Sequence, residues 1–299
     1  MSAAVGAPET PARWTLRLPR GRHLELSARP RLMGVVNVTP DSFSDGGLWL
    51  DPEAAVEHAL RLAAEGAEVL DLGAESTRPG GGVYGEGAEP VPAAEELRRL
   101  LPVLERLRPA TEAVISVDTQ KGEVAREVLA AGADLVNDVG GLADSELVEV
   151  VAEAGCPVVV MHSRGERREM QRGIRFDDVV EEVRAELADL GAWALAAGIA
   201  REQLVFDPGL GFGKTAEQNL ELLRHLDRLE IMDRPLLVGA SRKSFIAAAT
   251  ASAPPPDRRL GGSLAAAAWA VHHGAAFLRV HDVAETAQFL DVWHAIDLR

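Results

Sequence analysis

The chain is short of cysteine, lysine, long apolar runs and net positive charge, and each shortage excludes something. Cys156 is the only cysteine in 299 residues, which rules out an intramolecular disulfide framework and a cysteine-based zinc site. Its place before Pro157, at the start of an apolar run, reads as small apolar packing. No apolar stretch approaches the ~20 residues that a membrane span requires; the Ala-rich window 264–271 breaks at His272, His273 and Gly274. The first dozen residues, MSAAVGAPETPA, have neither a basic n-region nor an apolar h-region. They read as a disordered tail, with the protein expected in the cytoplasm. A formal charge of −15 leaves no basic face for nucleic acid or an anionic membrane. Of 31 basic residues only Lys121, Lys214 and Lys243 are lysine. A guanidinium is a poor substitute for a compact ammonium. All three lysines follow apolar runs, in DTQK, GFGKT and SRKS, and are expected on one functional face.

What the chain does have is an alternation. Eight short apolar runs end on polar residues: LMGVVN (32–37), EVLDL (68–72), AVISVD (113–118), DLVNDV (134–139), PVVVMH (157–162), LVFD (204–207), PLLVGAS (235–241) and FLRVHD (277–282). Ala/Leu/Glu/Arg-rich helical stretches usually follow. Eight strands alternating with helices predict an α/β fold, a (β/α)8 TIM barrel, whose active site sits at the C-terminal ends of its strands. Residues 13–28 alternate about a PRG turn and predict a β-hairpin closing the opposite mouth. One domain over 13–299 accounts for the chain, burying roughly 75% of its unfolded surface. The segments 39–51 and 76–92 are too long and glycine-rich for minimal connections, so they are expected to act as lids. The segment 163–178 mixes arginines with acids and reads as a solvated loop.

The strand-terminal residues Asn37, Asp71, Asp118, Asn137, Asp207, Ser241, Arg279 and His281 are therefore the candidate site. Buried carboxylates and amides need partners. A ligand with adjacent ring and exocyclic N–H groups, such as the 2-aminopyrimidinone edge of a guanine or pterin, would supply them, and its carbonyl would take a donor such as Lys243. The plainer reading makes some of these residues helix caps at strand–helix junctions, and for Asp71 a cap or supporting role is an equal alternative. Arg279 and His281, two apart on one strand face, suit a phosphate or pyrophosphate. PGLGFGKT (208–215) imitates a nucleotide loop but has Pro208 where a Walker A glycine is needed, and GxGxG in place of GxGxxG. It reads as a glycine-rich turn that admits a ligand close to the backbone, with Phe212 as a wall.

Together GVVNVTPDSFSDGG (34–47), DLGAESTRPGG (71–81), SVDT (116–119), VNDVGG (136–141), FDPGLGFGKT (206–215), GASRKSF (239–245) and RVHDV (279–283) resemble the dihydropteroate synthase family, in order and across almost the whole barrel. The resemblance implies condensation of p-aminobenzoate with 7,8-dihydropterin-6-ylmethyl pyrophosphate. It implies pterin contacts from Asp118, Asn137, Asp207, Lys243, Phe212, Met161 and Gly239, and pyrophosphate contacts from Asn37, Thr77, Arg279 and His281. Asn37 would also coordinate Mg2+. The p-aminobenzoate pocket would be formed by Thr39, Pro40, Phe43, Arg78, Pro79 and Ser241. Asp45, Lys243, Arg279 and His281 would act in catalysis, Asp45 by stabilising a cationic pterin after pyrophosphate leaves. Sulfonamides would compete at the aromatic pocket. The family also implies a homodimer, with Trp269, Phe289 and Trp293 as interface candidates. Two departures stand out: HSRG (162–165) where the family has a Met-Gln-Gly sequence, and Ala74 in place of glycine. They leave open a paralogue that binds pterin without catalysis or with another substrate. A pterin-dependent methyltransferase module would leave SRKS and RVHD without a purpose. A Schiff-base aldolase on Lys243 is the generic barrel alternative.

Overall fold

The computed structural model describes residues 12–39, 51–75, 91–165 and 175–296. The chain enters through a hairpin, β1 (Trp14–Arg17) and β2 (His23–Leu26), paired antiparallel. The barrel strands follow as β3 (Arg31–Asn37), β4 (Val69–Gly73), β5 (Val114–Asp118), β6 (Leu135–Asp138), β7 (Val158–Met161), β8 (Leu204–Asp207), β9 (Leu237–Val238) and β10 (Phe277–Val280). They run parallel in the order β8-β7-β6-β5-β4-β3-β10-β9, and a bridge between Phe206 and Leu236 joins the two ends. Each predicted strand is present at its predicted place. The helices between them are α1 (Pro52–Ala64), α2 (Ala93–Leu107), α3 (Gly122–Ala130), α4 (Ser145–Ala154), α5 (Val179–Ala196), α6 (Ala216–Arg224), α7 (Ser244–Ala248), α8 (Leu260–His272) and α9 (Val283–Ile296). No helix among the described residues is long and apolar enough to cross a membrane.

Strands buried on both faces divide their side chains by a period of two. The outward set, including Leu70, Leu72, Ile115, Val117, Val158, Val160, Phe206 and Val238, packs under the helices in the main core. Cys156 belongs to that core, and burial pushes its thiol up to about 12, so it remains a thiol. The inward set begins with an apolar layer: Met33, Val69, Val114, Leu135, Val159, Val205, Leu237 and Phe277. Leu16, Leu18, Leu24 and Leu26 of the hairpin pack against this layer and plug the N-terminal mouth. Layer residues pair directly at β3–β4, β4–β5, β7–β8 and β9–β10. At the other four joints the register steps by two residues, a total of about eight, which is the shear of such a barrel.

Helix caps fall to other residues than the candidate site. Asp51, Asp144, Asp178 and Thr215 accept the first-turn N–H groups of α1, α4, α5 and α6. Asp118, Asn137 and Asp207 are thereby released from the plainer reading and lie buried in the barrel.

The plug is fixed by one carboxylate. Asp134, fully buried before β6, accepts from Arg20 at 2.6 Å, from Arg22 and Arg108 at 2.9 Å each, and from the backbone N–H of Ile115 at 3.0 Å. Two of those arginines come from the hairpin turn. Asp134→Ala should cost about 3 kcal/mol, because it strands the Ile115 N–H and takes the carboxylate from three guanidinium groups, which keep only backbone carbonyls. Partial exposure of the arginines keeps the cost at the low end of the range. Urea unfolding measures it, and a midpoint equal to that of the parent chain would show that the hairpin is held by its leucines alone.

Candidate active site

Two residues above the apolar layer, the same inward positions read Val35, Asp71, Ser116, Asn137, Met161, Asp207, Gly239 and Arg279. The interior changes from apolar to polar within one pleat, and the polar layer holds together through Asp71. This carboxylate is fully buried. It accepts from the Ser116 hydroxyl at 2.6 Å, the Asn137 amide at 3.0 Å and Arg279 Nε at 2.7 Å. Arg279 Nη2 also reaches Asp118 Oδ2 at 3.1 Å. Burial works against the Arg279 charge, but Asp71 and Asp118, joined by Asp207, hold its pKa above the ordinary guanidinium value. Of the two roles open to Asp71, the geometry selects the supporting one. Since a carboxylate only accepts, Asn137 must present Nδ2 to it, which turns Oδ1 into an acceptor for something else.

Asp207 takes the N–H of Gly209 at 2.7 Å. Burial raises its pKa, while Lys243, Arg279 and Lys214 oppose the rise. Lys243 Nζ donates to the Leu210 carbonyl and lies 4.6 Å above the centre of the Phe212 ring. Burial pulls its ammonium down to about 8, with Asp207 opposing and Arg279 adding to the fall. Phe212 packs with Met161 and Val139 in a small apolar cluster separate from both cores. A Cβ on Gly239 would stand 3.8 Å from both Lys243 Nζ and the Arg279 side chain. One end of the site is thus a flat apolar wall, with a buried carboxyl group and a half-buried ammonium beside it.

The glycine-rich turn needs two of its glycines for a close backbone approach that the sequence reading did not include. Gly209 and Gly213 have φ of +64° and +63°, and a Cβ there would stand 1.8 Å from the His162 carbonyl oxygen and 2.3 Å from that of Arg164. At these two glycines the close approach that excludes side chains is to the backbone after β7. Gly211, at φ +86°, packs on the Lys243 stem, 3.1 Å from the nearest carbon. Beneath the turn Lys214 donates to Phe212 O at 2.9 Å, Gly209 O at 3.0 Å and His162 Nδ1 at 2.9 Å. Burial pulls Lys214 down to about 7, with Asp207 opposing. Burial and the neighbouring Lys214 take His162 down to about 3, so its ring is neutral. Lys121 is ion-paired to Glu75 and Glu96, at 2.6 Å each. All three lysines do follow the C-terminal ends of strands: Lys243 lies over the Phe212 ring, Lys214 lies beneath the turn that carries Phe212, and Lys121 is held by Glu75 and Glu96.

His281 follows β10, with Nδ1 3.1 Å from the Ser241 hydroxyl and its backbone N–H donating to the same oxygen at 3.2 Å. Burial, Arg279 and Arg242 take its pKa down to about 3. At neutral pH it offers an anion an N–H donor and no charge. Ser241, expected at the aromatic pocket, is buried and engaged with this histidine. Asn37 is exposed at the mouth end of β3, and Thr39 lies just beyond it. Pro40, Phe43, Asp45, Thr77, Arg78 and Pro79 lie outside the described residues, as do most of both expected lids and the expected tail up to residue 11. Among the described residues no group of three or more His, Cys, Asp or Glu is placed to hold a metal ion.

Three contributors escaped the sequence reading. Ser116 stands two residues before Asp118, so the period of two could have found it. His162 and Glu186, linked at 2.9 Å, carry no local signal that ties one to the other. Of the two departures, Ala74 is buried in the main core and its carbonyl accepts from Arg99 at 2.8 Å. Arg164 pairs with Glu182 at 2.7 Å and with Glu186, and stacks 3.9 Å over Phe176.

Comparison with known proteins gives the family. A family model described as pterin binding enzyme matches residues 33–281. The dihydropteroate synthase of Escherichia coli K12 is 44% identical over 276 residues, covering 92% of this chain and 94% of that protein. The Xanthomonas albilineans dihydropteroate synthase, solved with 4-aminobenzoic acid, superposes with a TM-score of 0.85 at 48% identity, covering 95% of this chain and 98% of the other. The Yersinia pestis enzyme, solved in a sulfonamide drug complex, gives 0.86 at 41% identity over 94% and 98%. The chain belongs to the dihydropteroate synthases, the pterin-binding barrel enzymes that join p-aminobenzoate to 7,8-dihydropterin-6-ylmethyl pyrophosphate in folate biosynthesis.

Proposed function

We propose that Asp207, Asn137, Asp118 and Lys243 hold the pterin ring, with Phe212, Met161 and Gly239 as its walls. In the same reading Asn37, Thr77, Arg279 and His281 receive the pyrophosphate, and Thr39, Pro40, Phe43, Arg78, Pro79 and Ser241 form the aromatic pocket. The supporting observation is a buried Asp207 carboxylate in a site whose Lys243 ammonium lies 4.6 Å above the Phe212 ring. A pterin offers two adjacent N–H donors to the carboxylate, a carbonyl to the ammonium and a π-face to the ring.

The reaction then runs by dissociation. The bond from the pterin methylene to pyrophosphate breaks and the electron pair leaves with pyrophosphate. Asp45 stabilises the delocalised pterin cation. The amine of p-aminobenzoate forms the new C–N bond and loses its proton. Arg279 commits two of its five N–H donors to Asp71 and Asp118, a bracing that aims the fork at the leaving group. Mg2+ fits such a site, because this cation takes one or two protein oxygens and draws the rest from phosphate and water. The Asn37 amide oxygen is of the right kind, and the ion would offset charge on the leaving group. We place the enzyme in the cytoplasm as a homodimer joined through α8 and α9, where Trp269, Val292 and Ile296 are exposed. The sulfonamide complex of the Yersinia pestis enzyme supports sulfonamide binding at the aromatic pocket.

Asp207→Ala should abolish pterin binding, since losing one member of a buried charged pair costs roughly 3–5 kcal/mol. Calorimetric affinity within about tenfold of the parent chain would remove Asp207 from the pocket. For Lys243 the sign follows from its pKa: the ammonium is lost as pH rises through about 8, so pterin affinity should fall above that pH. Lys243→Arg should bind more weakly throughout, because a planar fork cannot occupy the place of the ammonium. It should also lose the alkaline decline, since a guanidinium does not titrate there. Parallel pH titrations of the two proteins with one ligand decide it, and identical profiles would take Lys243 off the pterin carbonyl. p-Aminobenzoate should bind negligibly to the protein alone and clearly once a pterin product analogue, pyrophosphate and Mg2+ are present, because the prior ligands bear the cost of ordering the pocket. Equal affinity in both calorimetric titrations would mean that the pocket is preformed.

A further inference from the structure

We infer that Lys214 is a positioning residue for the pterin pocket: its ammonium, received by His162 and by the carbonyls of Gly209 and Phe212, fixes the glycine-rich turn on which Phe212 and the Leu210 carbonyl meet Lys243. The inference rests on the pterin reading of the site proposed above. Lys214 is 3% exposed and lies under the turn. Its three close acceptors match the three N–H donors of an ammonium. Two of them are carbonyls of the turn itself, and the third, His162 Nδ1, belongs to the chain just after β7.

The imidazole can accept at Nδ1 only if its proton is on Nε2, and that proton is directed to Glu186 Oε2 at 2.9 Å. Glu186, on α5, is fixed in turn by Arg164, which also binds Glu182 at 2.7 Å and the Arg175 carbonyl at 2.8 Å. A chain of contacts therefore runs from the barrel exterior through Arg164, Glu186, His162 and Lys214 to the turn. From the turn it passes to Lys243 by two routes, the Leu210 carbonyl and the Phe212 ring. On its other side the turn is held by Asn219 of α6, whose side chain accepts from the Gly211 N–H at 2.6 Å and donates to the Thr215 carbonyl at 2.7 Å. Glycines at 209, 211 and 213 give the turn its shape but no rigidity of their own, since glycine has the widest conformational freedom. The ammonium supplies the missing constraint at the place where a displaced Phe212 would open the wall and release Lys243.

Three variants test the inference, with Asp207→Ala as comparator. Lys214→Met keeps the stem and removes the donors. His162→Gln can keep one acceptor for Lys214 and one donor for Glu186, and His162→Leu keeps neither. Lys214→Met and His162→Leu should weaken calorimetric binding of a pterin product analogue by about tenfold or more and raise the KM for the pterin pyrophosphate to match. The KM for p-aminobenzoate at saturating pterin substrate should stay within about twofold, and His162→Gln should restore most of the pterin affinity. A general loss of packing would move both KM values together and would not distinguish Gln from Leu. A folded Lys214→Met with unchanged pterin affinity overturns the inference. If that variant fails to fold, the histidine pair decides: loss in Leu with recovery in Gln supports it, while no loss in Leu, or equal loss in both, overturns it. Loss in Asp207→Ala beside full affinity in the Lys214 and His162 variants would sink this inference alone. Full affinity in Asp207→Ala would sink the pterin reading beneath it.

Discussion

The barrel interior depends on the pairing of Arg279 with Asp71. A guanidinium inside a ring of parallel strands has lost much of its water, and an uncompensated charge there would be severely penalised. Asp71 answers that charge from the other side of the β3 strand and brings Ser116 and Asn137 with it, so one carboxylate organises side chains from four strands. The consequence reaches the ligand. With one amide N–H committed to Asp71, Asn137 is oriented so that its carbonyl oxygen is left as an acceptor, and Arg279 is braced on two carboxylates before any substrate arrives. The polar layer is preorganised because its members satisfy one another, and electrostatic catalysis needs that arrangement.

That layer needs a dry floor. The apolar layer two residues below it, closed by the hairpin leucines, keeps water from entering behind Asp71. Register steps tilt the strands so that the inward positions fill the interior without a channel. The hairpin therefore contributes to the site without touching it, and Asp134 with its three arginines joins plug to barrel at the opposite end from the chemistry.

Most of the fold was legible because it is written locally. Each strand is an apolar run with a polar end, and the alternation of eight such runs with helices has few other solutions. The terminators Asp118, Asn137 and Asp207 were legible for the same reason: a polar residue at the end of a buried strand faces either a cap position or the interior, and the caps proved to be Asp51, Asp144, Asp178 and Thr215. What lay beyond reach was pairing across the barrel. Asp71 could not be separated from a cap without knowing that Arg279, more than two hundred positions away, turns inward to meet it. The glycines of 208–215 signalled a crowded turn, but nothing in GLGFG points to the backbone after β7 as the neighbour of Gly209 and Gly213. His162 and Lys214 look unrelated in sequence, and only the packing of β7 against β8 brings them together.

Charge placement explains how an acidic enzyme accepts an anionic substrate. At −15 overall, the distant field of the protein opposes a pyrophosphate, but beyond roughly 8 Å that field is largely screened at physiological ionic strength. In the proposed site the charges at the strand ends are local: Arg279 and Lys243 set against Asp71, Asp118 and Asp207, with a neutral His281 beside them. Three carboxylates stand against two cations, so the site is not a strong anion trap for any phosphate in solution. On the assignment proposed above, tight binding requires the neutral pterin edge to satisfy Asp207 and Asn137 while the pyrophosphate answers Arg279. Neither half of the substrate can do both, and selectivity follows from that division of labour.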